Sequence, residues 1–328
     1  MKLIFIVQGE GRGHLTQAIS MYSLLTSSGH EVVKTLVGKS LRVELPPFFY
    51  EKMQPCPIAT FESPHFLVSP KSKRSLLLKS VAHSLLRVPA YLKSIAFISR
   101  QIRACNADAV INFYEVLTGL TYAFCRPPQP CVCIAHQYLF LHSGFAFPKA
   151  SRLEVAALLL FTRITAIKAR TLLALSFREM PCEGRIRVVP PLLRREALQK
   201  VARSGEDYIL GYMLNAALVE EVAAWHRQHA AVPLHFFWSK KGAPRELKVD
   251  ANLTLHQLDD ASFLDYMARC RAYASTGGFE SICEAMYLQK PVLMVPMHIE
   301  QECNAFDAVN AGAGVASPVF DLTKLVEF

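Results

Sequence analysis

The chain has 328 residues, 52% of them hydrophobic, and a formal net charge of +9. A single hydrophobic core usually stops growing below this length, so two α/β domains are expected. The apolar start MKLIFIV runs into a glycine turn without the basic region or cleavage site of a secretory signal. No uncharged stretch reaches the roughly 18 residues that a membrane span needs. These features exclude a disordered chain and predict a globular, cytoplasmic protein without a transmembrane helix.

The charge is distributed unevenly. Residues 1–195 carry 25 Lys/Arg against 10 Asp/Glu, whereas the remainder carries 11 against 17. Eight Lys/Arg and no acid lie between Glu62 and Asp108. In the segment 71–103 these cations are mixed with leucines, which predicts peripheral contact with an anionic membrane, at its inner face, or with a lipid-phosphate acceptor. A helix pair with a solvated basic face is the alternative. Nucleic acid is not an expected partner, because no RNA-binding type of basic and aromatic strand is present.

Two rounds of strand, glycine turn and helix follow one another, which predicts doubly wound parallel sheets. The first round has strands at Lys2–Val7, Glu31–Leu36, Ala109–Phe113, Pro130–Ala135 and Ile186–Leu193, with a helix at His14–Ser27. The second has strands at Tyr208–Met213, Pro233–Trp238, Ala272–Ser275 and Pro291–Pro296, and helices at Ala217–Gln228, Ser262–Cys270 and Phe279–Leu288. We predict two Rossmann-like α/β domains, 1–195 and 196–328, that face across a cleft with ligands at the carboxyl ends of the strands.

The first glycine turn, GEGRGH, follows the first strand and contains Gly11, Gly13 and His14. A dinucleotide loop is disfavoured, because His14 replaces the third glycine and no acid ends the second strand. A P-loop is excluded because the turn has no GK[ST]. An imidazole at the head of the following helix suits general-base chemistry, and a capping role for His14 is the alternative.

The strongest local signal is the second glycine turn, STGGFESICE, at Ser275–Glu284. A strand that stops at two glycines and reopens as a helix exposes N–H groups at the positive end of the helix dipole, where a diphosphate fits. Thr276 and Ser281 add hydroxyl groups, and the carboxylate of Glu284 suits ribose hydroxyls. Taken alone, this signal is weak, because many close packings of a helix on a strand also need two glycines.

Polar residues also follow the next strand. His298, Glu300 and Gln301 come at its carboxyl end and therefore reach the same rim of the sheet. Their side chains suit the hydroxyl groups of a sugar, and a solvated loop is the alternative.

The segment from Gln257 to Ala305 resembles the donor-binding half of GT-B glycosyltransferases of family 28. These relatives include the bacterial N-acetylglucosaminyltransferase of cell-wall synthesis and the plant and animal UDP-glycosyltransferases. The resemblance rests on four ordered motifs: LDD before a helix, the Thr-Gly-Gly turn with a later glutamate, the PVLMVP strand and the EQECNA tail. The Glu300–Gln301 pair stands where many plant relatives have Asp-Gln and the cell-wall enzyme has Gln-Gln, so the sugar stays open.

The resemblance implies a role for each matching residue. It assigns base contacts to the backbone of Gln257 and Leu258, diphosphate contacts to Thr276, Gly277, Gly278 and Ser281, ribose contact to Glu284, and sugar contacts to Glu300 and Gln301. His14 matches the histidine that acts as general base in the glucosyl transferases. Its carboxylate partner is unassigned, and Glu115 is a candidate at the correct edge of the sheet. The neighbouring Asn112 is grouped with Gly11 and Gly13 as a candidate residue of the acceptor or phosphate loop.

No metal site is predicted. The acidic pair Asp259–Asp260 opens a helix and is expected to cap it, and the nine cysteines lack CxxC spacing. We therefore expect a metal-independent, inverting transfer of a sugar from a nucleotide diphosphate, of the UDP type, to a hydroxyl acceptor that is lipid-linked or part of the cell envelope. No cofactor besides the donor is expected. A sugar-nucleotide 2-epimerase of the same fold and a non-catalytic nucleotide-sugar-binding protein remain as alternatives.

Overall fold

A computed structural model describes residues 1–40, 44–64, 86–201, 206–213, 218–240 and 242–326. These residues divide into two compact units, and the boundary lies between Arg194 and Arg195. None of the helices within the described ranges is long and apolar enough to cross a membrane.

The first unit is built on a parallel sheet. Its strands are β1 (Lys2–Gln8), β2 (Glu31–Lys39), β3 (Ile58–Glu62), β4 (Ala109–Phe113), β5 (Cys131–Ala135), β6 (Thr171–Leu175) and β7 (Ile186–Val189). Their order is β3-β2-β1-β4-β5-β6-β7, and every neighbouring pair is parallel. Residues 3–7 of β1 are all buried. A central parallel strand is covered on both faces, which explains its unbroken apolar sequence.

Helices cover the first sheet. They are α1 (Gly13–Ser27), α2 (Pro47–Lys52), α3 (Val88–Ala104), α4 (Val116–Phe124) and α5 (Arg152–Thr165), with a 3-10 helix at His136–Leu141. The short helix α4 contacts both α3 and α5. At the crossing of α4 and α5, a Cβ atom added to Gly119 would lie 1.8 Å from the carbonyl oxygen of Ile164. The two helix backbones therefore touch at this glycine.

The second unit repeats the architecture. Its strands are β8 (Ile209–Met213), β9 (Leu234–Trp238), β10 (Glu246–Lys248), β11 (Leu253–Gln257), β12 (Ala272–Ser275), β13 (Val292–Met294) and β14 (Gly314–Ala316). Their order is β10-β11-β9-β8-β12-β13-β14, in which only the β10–β11 pair is antiparallel. The helices are α6 (Arg195–Leu198), α7 (Val219–Gln228), α8 (Asp260–Arg269), α9 (Phe279–Tyr287), α10 (Ile299–Asn310) and α11 (Thr323–Val326).

The strand order reverses once in each sheet, between β1 and β4 in the first and between β8 and β12 in the second. In doubly wound sheets ligands bind outside the carboxyl ends of the strands at such a reversal. The GEGRGH turn follows β1, and the Thr-Gly-Gly turn follows β12. Both turns singled out in the sequence therefore lie where this fold binds ligands.

The prediction of two doubly wound parallel sheets is confirmed. The sequence reading missed β3, β6, β10, β11 and β14, of which β10 is short, exposed and at the edge of its sheet. Strand β6 was hidden because it follows α5 within one long apolar stretch, where periodicity does not separate a strand from a helix. The predicted strand at Ile186–Leu193 ends at Val189, directly before two prolines that lack a backbone N–H for the sheet.

The contact of α4 and α5 at Gly119 gives a stability prediction. Gly119→Ala should lower the free energy of unfolding by about 3 kcal/mol, because the new methyl group meets backbone atoms that cannot rotate away. Phe124→Ala is the control in the same helix, since Phe124 is 70% exposed and its loss should change stability by less than about 0.5 kcal/mol. Urea denaturation followed by circular dichroism measures both. Equal midpoints for the two variants would contradict the close crossing.

Candidate functional site

His14 lies in the first turn of α1, after the loop that follows β1. Arg12 occupies the cap position, so His14 is not the capping residue. The imidazole stacks on the ring of Tyr114, with centroids 5.3 Å apart and planes 28° from parallel, and its Nδ1 lies 3.5 Å from Oε1 of Gln17. The Tyr114 hydroxyl is in turn 2.7 Å from Oγ1 of Thr162. The histidine ring is therefore held in one orientation by an aromatic face that is itself anchored.

Asn112 is fully buried and ties the turn after β4 together. Its Nδ2 donates to the carbonyl oxygens of Glu115, at 3.2 Å, and Thr165, at 3.1 Å. Its Oδ1 accepts a hydrogen bond from the backbone N–H of Glu115 at 3.0 Å. In this turn Tyr114 has a positive φ of 60°, which is uncommon for a bulky residue and needs such support. The sequence prediction placed Asn112 at the site, and the structure shows that it shapes the turn.

Glu115 is also fully buried, at the start of α4. Its Oε1 accepts hydrogen bonds from the Ser63 hydroxyl at 2.6 Å and from the Leu117 N–H at 3.0 Å. Its Oε2 has no hydrogen-bond partner among the described residues and lies against Gly38, where an added Cβ would be 2.2 Å away. Burial raises the pKa of Glu115 to about 7, although these two hydrogen bonds oppose the shift. The carboxylate proposed from sequence as the partner of His14 thus caps a helix, and the residue stacked on His14 is Tyr114.

In the second unit the Thr-Gly-Gly turn joins β12 to α9. Gly277 has a φ of +87°, and an added Cβ would lie 3.2 Å from the carbonyl oxygen of Gln301, so this position favours glycine. Gly278 is the N-cap of α9. Asn304 Nδ2 donates to the Gly277 carbonyl at 3.2 Å, and Ser281 Oγ donates to the Gly278 carbonyl at 3.3 Å. The carbonyl groups of the turn are thereby held by side chains.

Thr276 carries an unusual hydroxyl group. The residue is 1% exposed, and its Oγ1 makes no hydrogen bond within the described part of the chain. Buried hydroxyl groups are rarely left without a partner in native proteins. This hydroxyl lies directly before the two glycines that open α9.

The remaining predicted donor residues differ in how accessible they are. Glu284, in the second turn of α9, is only 2% exposed. His298 is the N-cap of α10 and is half-buried, as is Glu300 in the first turn. Gln301 is buried, and its Oε1 accepts a hydrogen bond from the Met297 N–H at 2.9 Å. His298 and Glu300 are therefore the more accessible side chains of this rim.

The backbone of Gln257 and Leu258 lies at the end of β11. The Gln257 N–H donates to the Arg245 carbonyl at 2.8 Å, and the Leu258 N–H donates to the Trp238 carbonyl at 2.9 Å. A ligand at this point would therefore meet carbonyl oxygens rather than N–H groups. The next residue, Asp259, accepts a hydrogen bond from Ser262 N at 2.8 Å, which confirms the predicted helix cap.

Two residues of these sites escaped the sequence analysis. Tyr114 directly follows β4 at the strand-order reversal, and this position is the sequence signal that identifies it as a site residue. Asn304 lies inside the EQECNA motif, and only the fold shows that it supports the Gly277 carbonyl.

A family profile described as "Glycosyl transferase family 1" matches residues 1–328. No curated protein sequence matches the chain.

Solved structures share its fold at low sequence identity. LpCGTa in complex with UDP is 15% identical with a TM-score of 0.63, and the match covers 97% of this chain and 84% of that one. Arabidopsis thaliana UGT89C1 complexed with quercetin is 13% identical with a TM-score of 0.61, over 96% and 84% of the two chains. MurG of Acinetobacter baumannii is 15% identical with a TM-score of 0.55, over 96% and 85%. Each of these likenesses extends over both α/β units of the chain.

The buried carboxyl group of Glu115 predicts a pH effect on stability. Between pH 4.5 and about 7 the folded protein keeps a proton here that the unfolded chain loses, so this group's contribution to the free energy of unfolding falls as pH rises. Glu115→Gln has no such titration. Its stability relative to the wild type should therefore rise by about 3 kcal/mol across this range.

Urea denaturation of both proteins at several pH values between 4.5 and 8 measures this difference. Glu179→Gln is the matched control, because it makes the same substitution at an exposed position. If the difference in free energy of unfolding between the wild type and Glu115→Gln stays constant with pH, Glu115 is not a buried titrating group.

Proposed function

The chain belongs to glycosyl transferase family 1 and is a glycosyltransferase with the GT-B fold; we propose that its donor is a UDP-linked sugar and that its acceptor is a hydroxyl group. The observation that carries the proposal is the turn at Thr276–Gly278, which ends a strand at the reversal of the second sheet and opens α9.

The turn suits a diphosphate for four reasons. The N-terminus of α9 presents backbone N–H groups and the positive end of the helix dipole. The buried Thr276 hydroxyl has no hydrogen-bond partner among the described residues, and a phosphate oxygen would accept a hydrogen bond from it. Gly277 keeps side-chain atoms away from the approach to the helix. Ser281 lies in the first turn of α9 and adds a second hydroxyl.

A uracil base fits the end of β11. The carbonyl groups of Gln257 and Leu258 are acceptors, and the N3–H of uracil is a donor that pairs with such a group. The bound UDP of LpCGTa, a protein of the same fold, supports this choice. Glu284 would take the ribose, and His298, Glu300 and Gln301 would contact the sugar.

His14 is proposed as the general base. If Nδ1–H donates to Gln17, Nε2 is the nitrogen that accepts a proton from the acceptor hydroxyl. The acceptor oxygen then forms a bond to the anomeric carbon while the bond from that carbon to the diphosphate oxygen breaks, so that UDP leaves. Attack opposite to the leaving group inverts the anomeric configuration. The N–H groups of α9 stabilise the charge that develops on the diphosphate, and no metal ion is required in this scheme.

The acceptor is proposed to be lipid-linked, with the segment 71–103 in contact with an anionic membrane. Positions 71–85 lie outside the described residues. In the described part, Leu86 and Leu92 are exposed at the N-terminal end of α3, and Lys93 and Arg100 are exposed farther along it. Apolar side chains at one end and cations along the rest suit a surface of anionic headgroups.

The donor site is tested by thermal shift with UDP-, GDP- and TDP-sugars. A UDP-sugar should stabilise the wild type, and Thr276→Val should weaken its binding by roughly tenfold, because one hydrogen bond to a charged group is lost. Gly277→Ala should weaken it further through strain and contact with Gln301. Gly312→Ala is the control, since Gly312 has a similar φ of +80° away from the turn. Stabilisation by none of these nucleotide sugars would refute the donor assignment.

The catalytic role of His14 is tested by His14→Ala. Transfer should fall by about 10²–10⁴-fold while binding of the UDP-sugar persists, because the general base is lost and the donor turn is unchanged. Transfer is measured as the UDP released in the presence of each of a panel of polyprenol-linked and free hydroxyl acceptors. His30→Ala is the matched histidine control. Survival of both transfer and donor binding would show that His14 is not the base. Conversion of the UDP-sugar without an acceptor would instead indicate a 2-epimerase, and binding without turnover a non-catalytic protein.

A further inference from the structure

Helix α5 has a partly buried apolar side and a second, exposed apolar stripe. Its sequence, RLEVAALLLFTRIT, is largely apolar; Val155, Leu158, Leu159 and Phe161 are half-buried, and its two fully buried residues are threonines. Thr162 contacts the hydroxyl of Tyr114 at 2.7 Å, and the Thr165 hydroxyl lies 3.0 Å from that of Tyr138. The ring of Phe161 also packs on Tyr114, with centroids 5.6 Å apart, so the inner face of α5 is held to the unit by both hydroxyl and apolar contacts.

The outer face of α5 carries an apolar stripe. Leu153 is 72% exposed and Leu160 is 59% exposed, and Ala156 between them is exposed as well. The spacings of three and four residues place these side chains on one side of the helix. A helix on the surface of a soluble protein normally turns this stripe inward.

Two arginines lie along one side of the stripe. Arg152 and Arg163 are both exposed, and their separation of eleven residues places them on the same flank, next to the leucines. Over residues 149–178 the chain has six Lys/Arg and one acid, Glu154. The combination of protruding leucines and neighbouring cations matches an anionic bilayer, where leucines enter the acyl boundary and arginines meet phosphate groups.

We propose that the outer face of α5 binds the surface of an anionic lipid bilayer. With 14 residues the helix is about 21 Å long, too short to span a bilayer, so it would lie in the plane of the interface. A second copy of the chain fits this face less well. A symmetric contact would place the arginines of both copies beside one another, and like charges oppose such a contact.

This surface connects directly to the catalytic region of the first unit. Thr162 of α5 holds the Tyr114 hydroxyl, and Tyr114 stacks on His14. Membrane binding by α5 does not depend on the proposed function. Its use in presenting a lipid-linked acceptor to His14 does rest on that function.

The test measures flotation of the full-length protein with vesicles of phosphatidylcholine alone and of phosphatidylcholine with phosphatidylglycerol. The wild type should bind the anionic vesicles and lose binding at high salt. Leu153→Ser with Leu160→Ser should lower the partition coefficient by about tenfold or more, and Arg152→Gln with Arg163→Gln by a similar factor on anionic vesicles only. Leu24→Ser, at a 54% exposed leucine of α1, is the control and should bind like the wild type.

Thermal melting and the UDP-sugar thermal shift of each variant show whether it is folded. Full vesicle binding by a folded Leu153→Ser, Leu160→Ser protein would overturn the proposal and move the contact to another surface, such as 71–103, without affecting the donor assignment. Absence of vesicle binding by the wild type would also overturn it. If the wild type instead forms dimers that the leucine variants lose, the occupant of the stripe is a second copy.

Discussion

Both candidate sites depend on one constraint of parallel sheets. Strands covered on both faces must be apolar along their length, so polar side chains and unpaired N–H groups collect where the strands end. Residues 3–7 of β1 are buried in this way, and the polar turn follows directly. Where the strand order reverses, neighbouring helices start on opposite faces and leave a crevice. The GEGRGH and Thr-Gly-Gly turns occupy these two reversals, one in each unit.

The turn after β4 shows how buried polar groups shape a site without entering it. Asn112 and Glu115 are fully buried and form hydrogen bonds with the backbone of the turn, with α4 and with Ser63. These bonds support Tyr114 in a left-handed conformation, and its ring then lies against His14. The carboxyl group of Glu115 thus holds the start of α4 and Ser63 in place, and burial raises its pKa to about 7. The imidazole is oriented by stacking and by Gln17.

The two halves of the chain differ in charge as they differ in proposed task. The first carries the excess of cations, and its helix α5 exposes Leu153 and Leu160 while Thr162 and Thr165 are buried. The second is acidic overall, yet its proposed diphosphate turn offers N–H groups, hydroxyls and a helix dipole rather than basic side chains. Positive charge in the first half therefore suits an anionic surface, whereas the donor turn provides local electrostatics within an acidic unit.

The amino-acid sequence by itself determined the fold class and the position of the Thr-Gly-Gly turn between a strand and a helix. Periodicity and glycine turns are local signals, and the ordered motifs from Gln257 to Ala305 added a specific resemblance. Local signals also identified Asp259 as a helix cap. They did not reveal β6, because it continues an apolar stretch, or β11, which no turn signal marked.

Only the tertiary structure determined which residues contact one another. Glu115 and Tyr114 are adjacent in sequence, and only the fold shows that the first is buried against Gly38 while the second stacks on His14. Likewise Asn304 supports Gly277 from 27 residues away, and only the fold shows that Leu153 and Leu160 of α5 are exposed. Burial and contact depend on which distant elements pack together, and that information is not contained in any local pattern of residues.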